Sequence, residues 1–187
     1  MTLTQKNTQG TAMKRVLATE KVALVIGGLA LALVVSAASA QTLDLLQPYQ
    51  RYAFAMSSQD YVAATQYSRQ VLKIVVAAHG ADSLEIVDSL EQLGAALALA
   101  GQLTDAAARY EQALTIKERE LGPLHPELVP TLEALADIAV RRENFTHAEN
   151  LLRRIVDIER SVYGPQSKNV IVTLNELRSV YELQNKA

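Results

Sequence analysis

Side chains that could carry out chemistry are few in this sequence, and their spacing fits no common reaction centre. The histidines are His79, His125 and His147, and no two have the separation that would bring both imidazoles to one metal ion. The first two fall in equivalent connections between predicted helices and the third comes early in a helix, so we expect loop and surface roles. The sequence contains no cysteine, which excludes disulfides, thiolate metal sites and thiol catalysis.

Paired carboxylates do not predict an acid–base centre either. Glu118 and Glu120 are two residues apart, as are Asp157 and Glu159, and side chains at that separation point to different faces of a helix. We therefore expect all four to be solvated charges. No G-x-S-x-G, phosphate-loop or dinucleotide motif is present in a position to act. These observations predict no catalytic residues, no cofactor and no metal, and an enzyme is the weakest of three functional hypotheses.

The charge balance argues against nucleic acid as a partner. The net charge is −2, and removing the first forty residues leaves 14 basic and 19 acidic residues, a net of −5. A mildly acidic chain without a basic stripe is a poor nucleic-acid binder. Arg141-Arg142 and Arg153-Arg154 could form a local basic patch. We interpret it as an exposed ridge paired with Glu143, Glu149 or Asp157.

The first forty residues have the order of a secretory signal peptide. Lys14, Arg15 and Lys21 precede an apolar stretch, and the small residues Ala38-Ser39-Ala40 stand before Gln41. We expect cleavage after Ala40 and a mature chain that is periplasmic or secreted. The alternative is an uncleaved inner-membrane anchor, because residues 22–40 form an apolar stretch of 19 residues, about the length that crosses a bilayer.

The elements that would position any site are predicted to be helices. Hydrophobic residues make up 49% of the 187 residues, aromatic residues only 5%, and tryptophan is absent. Such a composition, with few glycines and prolines, favours an all-α fold.

An internal repeat of 42 residues organises the rest of the chain. Identical residues recur at this spacing in five columns: Gly80, Gly122 and Gly164; Ala64, Ala106 and Ala148; Leu90, Leu132 and Leu174; Leu93, Leu135 and Leu177; Ile74, Ile116 and Ile158. Ser89, Thr131 and Thr173 form a softer column. We expect the glycines to end helices, the alanines to mark close helix approaches, and the leucines to fill the seam between helices.

Apolar spacing inside each repeat predicts two amphipathic helices. The predicted helices are near 45–57, 60–78, 83–99, 102–119, 126–141, 144–161 and 167–183. This divides residues 41–187 into hairpin units near 60–101, 102–143 and 144–187, preceded by the helix 45–57. Pro130 removes a backbone donor in the first turns of its helix, so we expect a late start or a kink there.

The repeat resembles the tetratricopeptide repeat, a helical hairpin that stacks into a solenoid. The stretch Leu90–Ile116 carries the resemblance, with Leu93-Gly94, Ala106, Tyr110 and Ala113 in signature columns. The longer period is similar to the variant in kinesin light chains, whose second helix runs into a G-x-x-H-P loop, as in Gly122-Pro123-Leu124-His125-Pro126. The resemblance implies a TPR-like α-α superhelix of about seven antiparallel helices that binds peptides or proteins in a concave groove.

In that groove the resemblance places first-helix residues that the leucine seam does not use: Asp88, Glu91, Gln92, Glu133, Asp137, Arg141, Asn175, Glu176 and Ser179. Their balance is acidic, so the first hypothesis is an exported scaffold or adaptor that binds a protein or peptide with basic segments. The second is a structural subunit that self-associates into a homo-oligomer or packs into a larger envelope complex, with membrane contact only if the amino-terminal segment is uncleaved. The more apolar first helix, Leu45 to Met56, motivates this second hypothesis.

Overall fold

The protein is described by a computed structural model over residues 40–185, with side chains from residue 45 onward. The predicted signal and its cleavage-site residues before Ala40 lie outside this range. The described residues form seven α-helices: α1 (Ala40–Ser57), α2 (Tyr61–His79), α3 (Val87–Leu99), α4 (Leu103–Leu121), α5 (Val129–Arg141), α6 (Phe145–Tyr163) and α7 (Lys168–Gln184). None of these helices is long and apolar enough to cross a membrane.

The three repeat glycines end the even-numbered helices, as the sequence predicts. Gly80, Gly122 and Gly164 have φ angles of 91°, 94° and 84°, a left-handed backbone that residues with a Cβ adopt only at a cost. Each glycine N–H still donates to the helix, from Gly122 to the carbonyl of Glu118 for example. The chain therefore leaves α2, α4 and α6 in the same way at every repeat.

Two helices start later than the sequence alone predicts. A 3-10 turn, Pro126–Leu128, precedes α5, and Pro130 lies in the first turn of that helix. The late start expected from Pro130 is confirmed. The equivalent turn Leu84–Ile86 precedes α3 without any proline, whereas α7 begins directly at Lys168. A 3-10 turn at this position therefore does not require proline.

Each helix from α2 to α6 packs against the next one in the chain. Ala64, Ala106 and Ala148 of the alanine column are all completely buried. Small side chains at these points let neighbouring helix axes come close.

The leucine columns fill the core in every position but one. Leu90 and Leu132 are completely buried, whereas Leu174 of α7 is 39% exposed. The expectation that Leu174 fills the seam is therefore wrong. α3 and α5 each pack against the helix that follows them, and α7 is the last described helix.

Candidate binding surface

One face of the odd-numbered helices carries most of the predicted groove residues. Glu133, Asp137 and Arg141 are four residues apart along α5, and a four-residue step keeps side chains on one face of a helix. The 42-residue repeat places Glu91 of α3 and Asn175 of α7 at the position of Glu133. We call the surface of α3, α5 and α7 that carries the nine predicted groove residues the acidic face.

Exposure divides the predicted groove residues into two groups. Seven are exposed: Asp88, Glu133, Asp137, Arg141, Asn175, Glu176 and Ser179. Glu91 and Gln92 are partly buried, and Oε1 of Gln92 is an enclosed atom with no hydrogen-bond partner. The exposed group is available to a partner, and Glu91 has a structural role.

Glu91 belongs to a polar cluster between α3, α4 and α5. The Lys117 ammonium lies 2.6 Å from Glu91 Oε1, 2.9 Å from Thr131 Oγ1 and 3.2 Å from the Glu127 carbonyl. The Thr131 hydroxyl also donates to Glu91. Lys117 is 8% exposed, and three acceptors match the three N–H groups of an ammonium. We call Glu91, Lys117 and Thr131 the lysine junction.

The equivalent place one repeat later has a different charge. Adding 42 residues to each member gives Glu133, Glu159 and Thr173, which we call the glutamate junction. Glu159 is 5% exposed, and its Oε2 accepts a 2.8 Å hydrogen bond from Thr173. Burial raises the pKa of the Glu133 carboxyl, and the charges of Glu176 and Glu159 raise it further.

The buried position of Glu159 corrects the sequence interpretation, which treated it as a solvated charge. The expectation that Asp157 and Glu159 do not face each other is consistent with their exposure, because Asp157 is exposed and Glu159 is buried. The available signal was the column of Ser89, Thr131 and Thr173, three hydroxyl residues at otherwise apolar positions. Their regular spacing indicated a buried polar contact between repeats.

Other charged residues of the region form local pairs. Arg141 donates to the Ala98 carbonyl at 2.8 Å and lies 3.6 Å from Asp137, which ties α5 to α3. Arg153 pairs with Glu149 at 2.8 Å, as the sequence predicted, and also donates to the Tyr181 hydroxyl. In contrast, Asp88, Glu133 and Glu176 have no ion-pair partner within the part of the chain that the structure describes. The acidic face thus keeps uncompensated carboxylates.

Metal binding finds no geometric support on this face. Over residues 45–185, no group of three or more His, Cys, Asp or Glu side chains is arranged to hold a metal ion. His125 instead caps a 3-10 turn, where its Nδ1 accepts from the Glu127 N–H at 3.3 Å. His147 is exposed near the start of α6.

Curated relatives share short stretches of this sequence. The Arabidopsis thaliana protein kinesin light chain-related 1 is 34% identical over 76 residues, which is 41% of this chain and 12% of that protein. Human nephrocystin-3 is 30% identical over 92 residues, 49% of this chain and 7% of that protein. Mouse tetratricopeptide repeat protein 23 is 23% identical over 124 residues, 66% of this chain and 25% of that protein. The chain thus spans a quarter or less of the length of these relatives.

Solved structures show the same fold. A crystal structure of kinesin light chain repeats from Podosopora anserina superposes with a TM-score of 0.63 at 20% identity, covering 74% of this chain and 67% of that one. BtubC from P. vanneervenii superposes with a TM-score of 0.59 at 16% identity, covering 78% of this chain and 67% of that one. The architecture is thus an all-helical repeat solenoid. The tetratricopeptide repeat family model matches residues 53–119 and 91–161, and this chain therefore belongs to the tetratricopeptide repeat family.

Proposed function

We propose that the chain is an exported scaffold or adaptor that binds a basic protein segment on its acidic face. Tetratricopeptide repeats are protein-binding modules, and curated relatives of this chain are repeat proteins. The observation that carries the specific proposal is that three exposed carboxylates of the acidic face, Asp88, Glu133 and Glu176, have no ion-pair partner among the described residues. Lysine and arginine side chains would neutralise them through charge-assisted hydrogen bonds.

Charge reversal on the acidic face tests the binding proposal. Fluorescence anisotropy would measure the affinity of fluorescein-labelled twelve-residue peptides that carry either spaced lysines or spaced glutamates. We expect Glu133→Lys with Glu176→Lys to weaken binding of the lysine peptides at least about tenfold, because each reversal replaces attraction by repulsion. Glu111→Lys with Glu120→Lys makes the same charge change at two exposed positions of α4 and is expected to stay within about twofold of the wild type. Equal affinity for lysine and glutamate peptides would refute the proposal.

Export is proposed on the amino-terminal sequence pattern. Basic residues, an apolar stretch and Ala38-Ser39-Ala40 stand in signal-peptide order. Cell fractionation with amino-terminal sequencing is expected to recover a chain outside the cytoplasm that begins at Gln41. A chain that keeps residues 1–40 in the membrane fraction would favour the anchored alternative, and a cytoplasmic chain would exclude both.

A second candidate function, self-association or packing into an envelope complex, rests on α7. Ile171, Leu174 and Leu183 are 53%, 39% and 42% exposed, although Leu90 and Leu132 at the repeat position of Leu174 are completely buried. Exposed apolar side chains on one helix favour a partner surface. Light scattering of the full chain would give a mass above one copy if α7 mediates self-association, and Leu174→Lys would restore the monomer.

A further inference from the structure

A groove runs between α6 and α7, and none of the nine residues of the acidic face lines it. Its cavity of about 250 Å³ is lined by Arg153, Val156, Asp157, Arg160, Leu174 and Leu177. Val156 and Leu177 form a buried floor, whereas Leu174 is 39% exposed. Among the described helices only α6 packs extensively against α7. We call this feature the α6–α7 groove.

The equivalent groove one repeat earlier is filled by a helix of this chain. Subtracting 42 residues from the apolar lining gives Leu114 of α4 and Leu132 and Leu135 of α5. α6 packs against α5, and its residues Leu152 and Ile155 join these leucines in one hydrophobic core. Leu132 is completely buried as a result. The repeat thus shows that an amphipathic helix is the element that fits such a groove.

The charge that meets the covering helix changes between the two grooves. In the filled groove, Glu118 of α4 accepts from Arg154 of α6 at 2.5 Å. The repeat equivalent of Glu118 is Arg160, which is exposed and has no ion-pair partner among residues 45–185. A helix on the α6–α7 groove would therefore meet a cation where α6 meets a carboxylate.

A second arginine lies on the face of α7 that such a helix would cover. Arg178 occupies the repeat position of Gly94 and Ala136, which are both buried, and Gly94 lies against the Tyr110 ring of the next helix. Arg178 is itself exposed, and its pair with Glu182 at 3.6 Å is exposed as well. Because exposed pairs contribute little stability, Arg178 is available to a partner's carboxylate.

The other two charges of the groove lie at its rim. Arg153 and Asp157 correspond to Glu111 and Thr115 of α4, and both of these remain exposed beside the covering α6. Arg153 is also paired with Glu149. The positions that a covering helix contacts therefore carry Arg160 and Arg178 and favour an acidic occupant.

Charge also distinguishes between the possible occupants. Residues 1–39 carry four basic residues and one acidic residue, so this segment has the wrong charge for the groove. The α1 helix of a second copy would offer the exposed Phe54, but it carries the exposed Arg51 one turn away. In a two-fold contact of α7 with a second copy, the same arginine-bearing patch would meet itself. An acidic helix of another protein is the complementary occupant.

We propose that the α6–α7 groove binds an amphipathic helix of a partner protein, with apolar side chains on Leu174 and Leu177 and acidic side chains on Arg160 and Arg178. The partner's helix would occupy the place that α6 occupies on α4 and α5. This inference rests on the second candidate function, and it selects packing into a complex over self-association. The groove prefers a charge opposite to that preferred by the acidic face.

A peptide derived from α6 provides the probe. Residues 145–163 with Arg154→Glu keep the apolar face of α6 and add a carboxylate for Arg160, and a hydrocarbon staple between positions 153 and 157, which are exposed in α6, would hold the helix. In fluorescence anisotropy with the full chain, we expect this glutamate peptide to bind at least about fivefold more tightly than the same stapled peptide with Arg154. Arg160→Glu in the protein is expected to reverse that preference. Arg142→Glu, at an exposed position after α5, is expected to leave it within about twofold.

Leu174→Ala tests the apolar part of the contact. We expect it to weaken the glutamate peptide at least about tenfold. Val172→Ala is the matched control, because Val172 is also exposed, and its repeat equivalents Asp88 and Pro130 are exposed beside the helices that follow them. Both variants change exposed side chains, and circular dichroism is expected to show an unchanged fold. Absence of binding by either peptide, or binding unaffected by Arg160→Glu or by Leu174→Ala, would overturn the proposal.

Two measurements separate this inference from the proposed functions. A protein that is monomeric by light scattering and binds the glutamate peptide supports the inference, whereas oligomers that Leu174→Lys disperses would leave α7 as a self-association surface and refute the partner helix. Lysine peptides on the acidic face are expected to bind Leu174→Ala as tightly as the wild type. If the glutamate peptide binds and lysine peptides do not, the groove stands and the acidic face fails. The reverse result leaves the acidic face and refutes the groove.

Discussion

Replacing Glu159 by lysine would recreate the lysine junction one repeat later. In Glu159→Lys, the new ammonium stands at the repeat position of Lys117, with the glutamate, threonine and carbonyl acceptors already present. The substitution also removes the carboxylate that repels Glu133. Unlike most changes of a buried side chain, this one is expected to stabilise the fold.

The size of the gain follows from the contacts of Lys117. A hydrogen bond to a charged group contributes about 1.5–3 kcal/mol, and ordering a lysine side chain costs up to about 2 kcal/mol. With the relief of repulsion, the net gain is about 1–2 kcal/mol, which corresponds to a rise in Tm of about 3–6 °C for a chain of this size.

Urea unfolding and thermal melting at neutral pH would measure the effect. Glu159→Gln is the matched control, because it removes the repulsion without adding an ammonium and is expected to give a smaller gain. Adding Glu133→Gln to Glu159→Lys is expected to reduce the gain in unfolding free energy by about 1 kcal/mol or more, because the new lysine loses its pairing with the Glu133 carboxylate. A destabilised Glu159→Lys, or a gain independent of residue 133, would refute the equivalence of the two junctions.

Four further outcomes are expected. Lys117→Met should lower the free energy of unfolding by about 3 kcal/mol in urea titrations, because it leaves a partly buried carboxylate without its cation; a loss below 1 kcal/mol would contradict this. Gly94→Ala should destabilise by about 1–3 kcal/mol, since the new Cβ would lie 2.7 Å from the Tyr110 ring, and Tyr110→Leu should relieve the loss; unaltered stability would refute the close contact. Gln59→Gly should raise the thermal midpoint, with a gain of about 1 kcal/mol, because residue 59 has a φ of 60°; a lower midpoint would refute this. The raised pKa of Glu133 means that its protonated form is favoured in the folded state, so this group's contribution is present at low pH and lost as pH rises through the folded pKa. Glu133→Gln should therefore stabilise the protein at pH 7 more than at pH 4 in urea unfolding, and a pH-independent difference would contradict the assigned cause.

Much of the fold could be predicted because the same sequence pattern, and therefore the same structure, recurs three times along the chain. The glycine column at 80, 122 and 164 located the ends of the even-numbered helices, and α4 and α6 extend only two residues beyond their predicted ends. The 3-10 turn before α3 was not predicted, because Leu84-Glu85-Ile86 continues the apolar pattern of the helix it precedes. The prediction that Leu174 is buried was wrong for a physical reason. Periodicity gives the position of a side chain within its repeat, whereas its burial depends on the helices packed against it.

The candidate site was harder to predict from the sequence, because its residues interact with residues of neighbouring repeats. Glu91 and Glu133 occupy the same column, and only the contacts with Lys117 and Glu159 show that the first is neutralised and the second is not. Those partners lie on the even-numbered helices, 26 residues further along the chain in both cases. A list of groove residues taken from the odd-numbered helices alone could not distinguish a structural carboxylate from an available one.

Mapping a bound lysine peptide on the chain by backbone NMR tests the central claim most directly. If the acidic face binds basic segments, the largest shift changes will fall on α3, α5 and α7 around residues 133 and 176, and they will disappear in Glu133→Lys with Glu176→Lys. Shift changes centred on the outer faces of α4 and α6, around residue 111, would contradict the account.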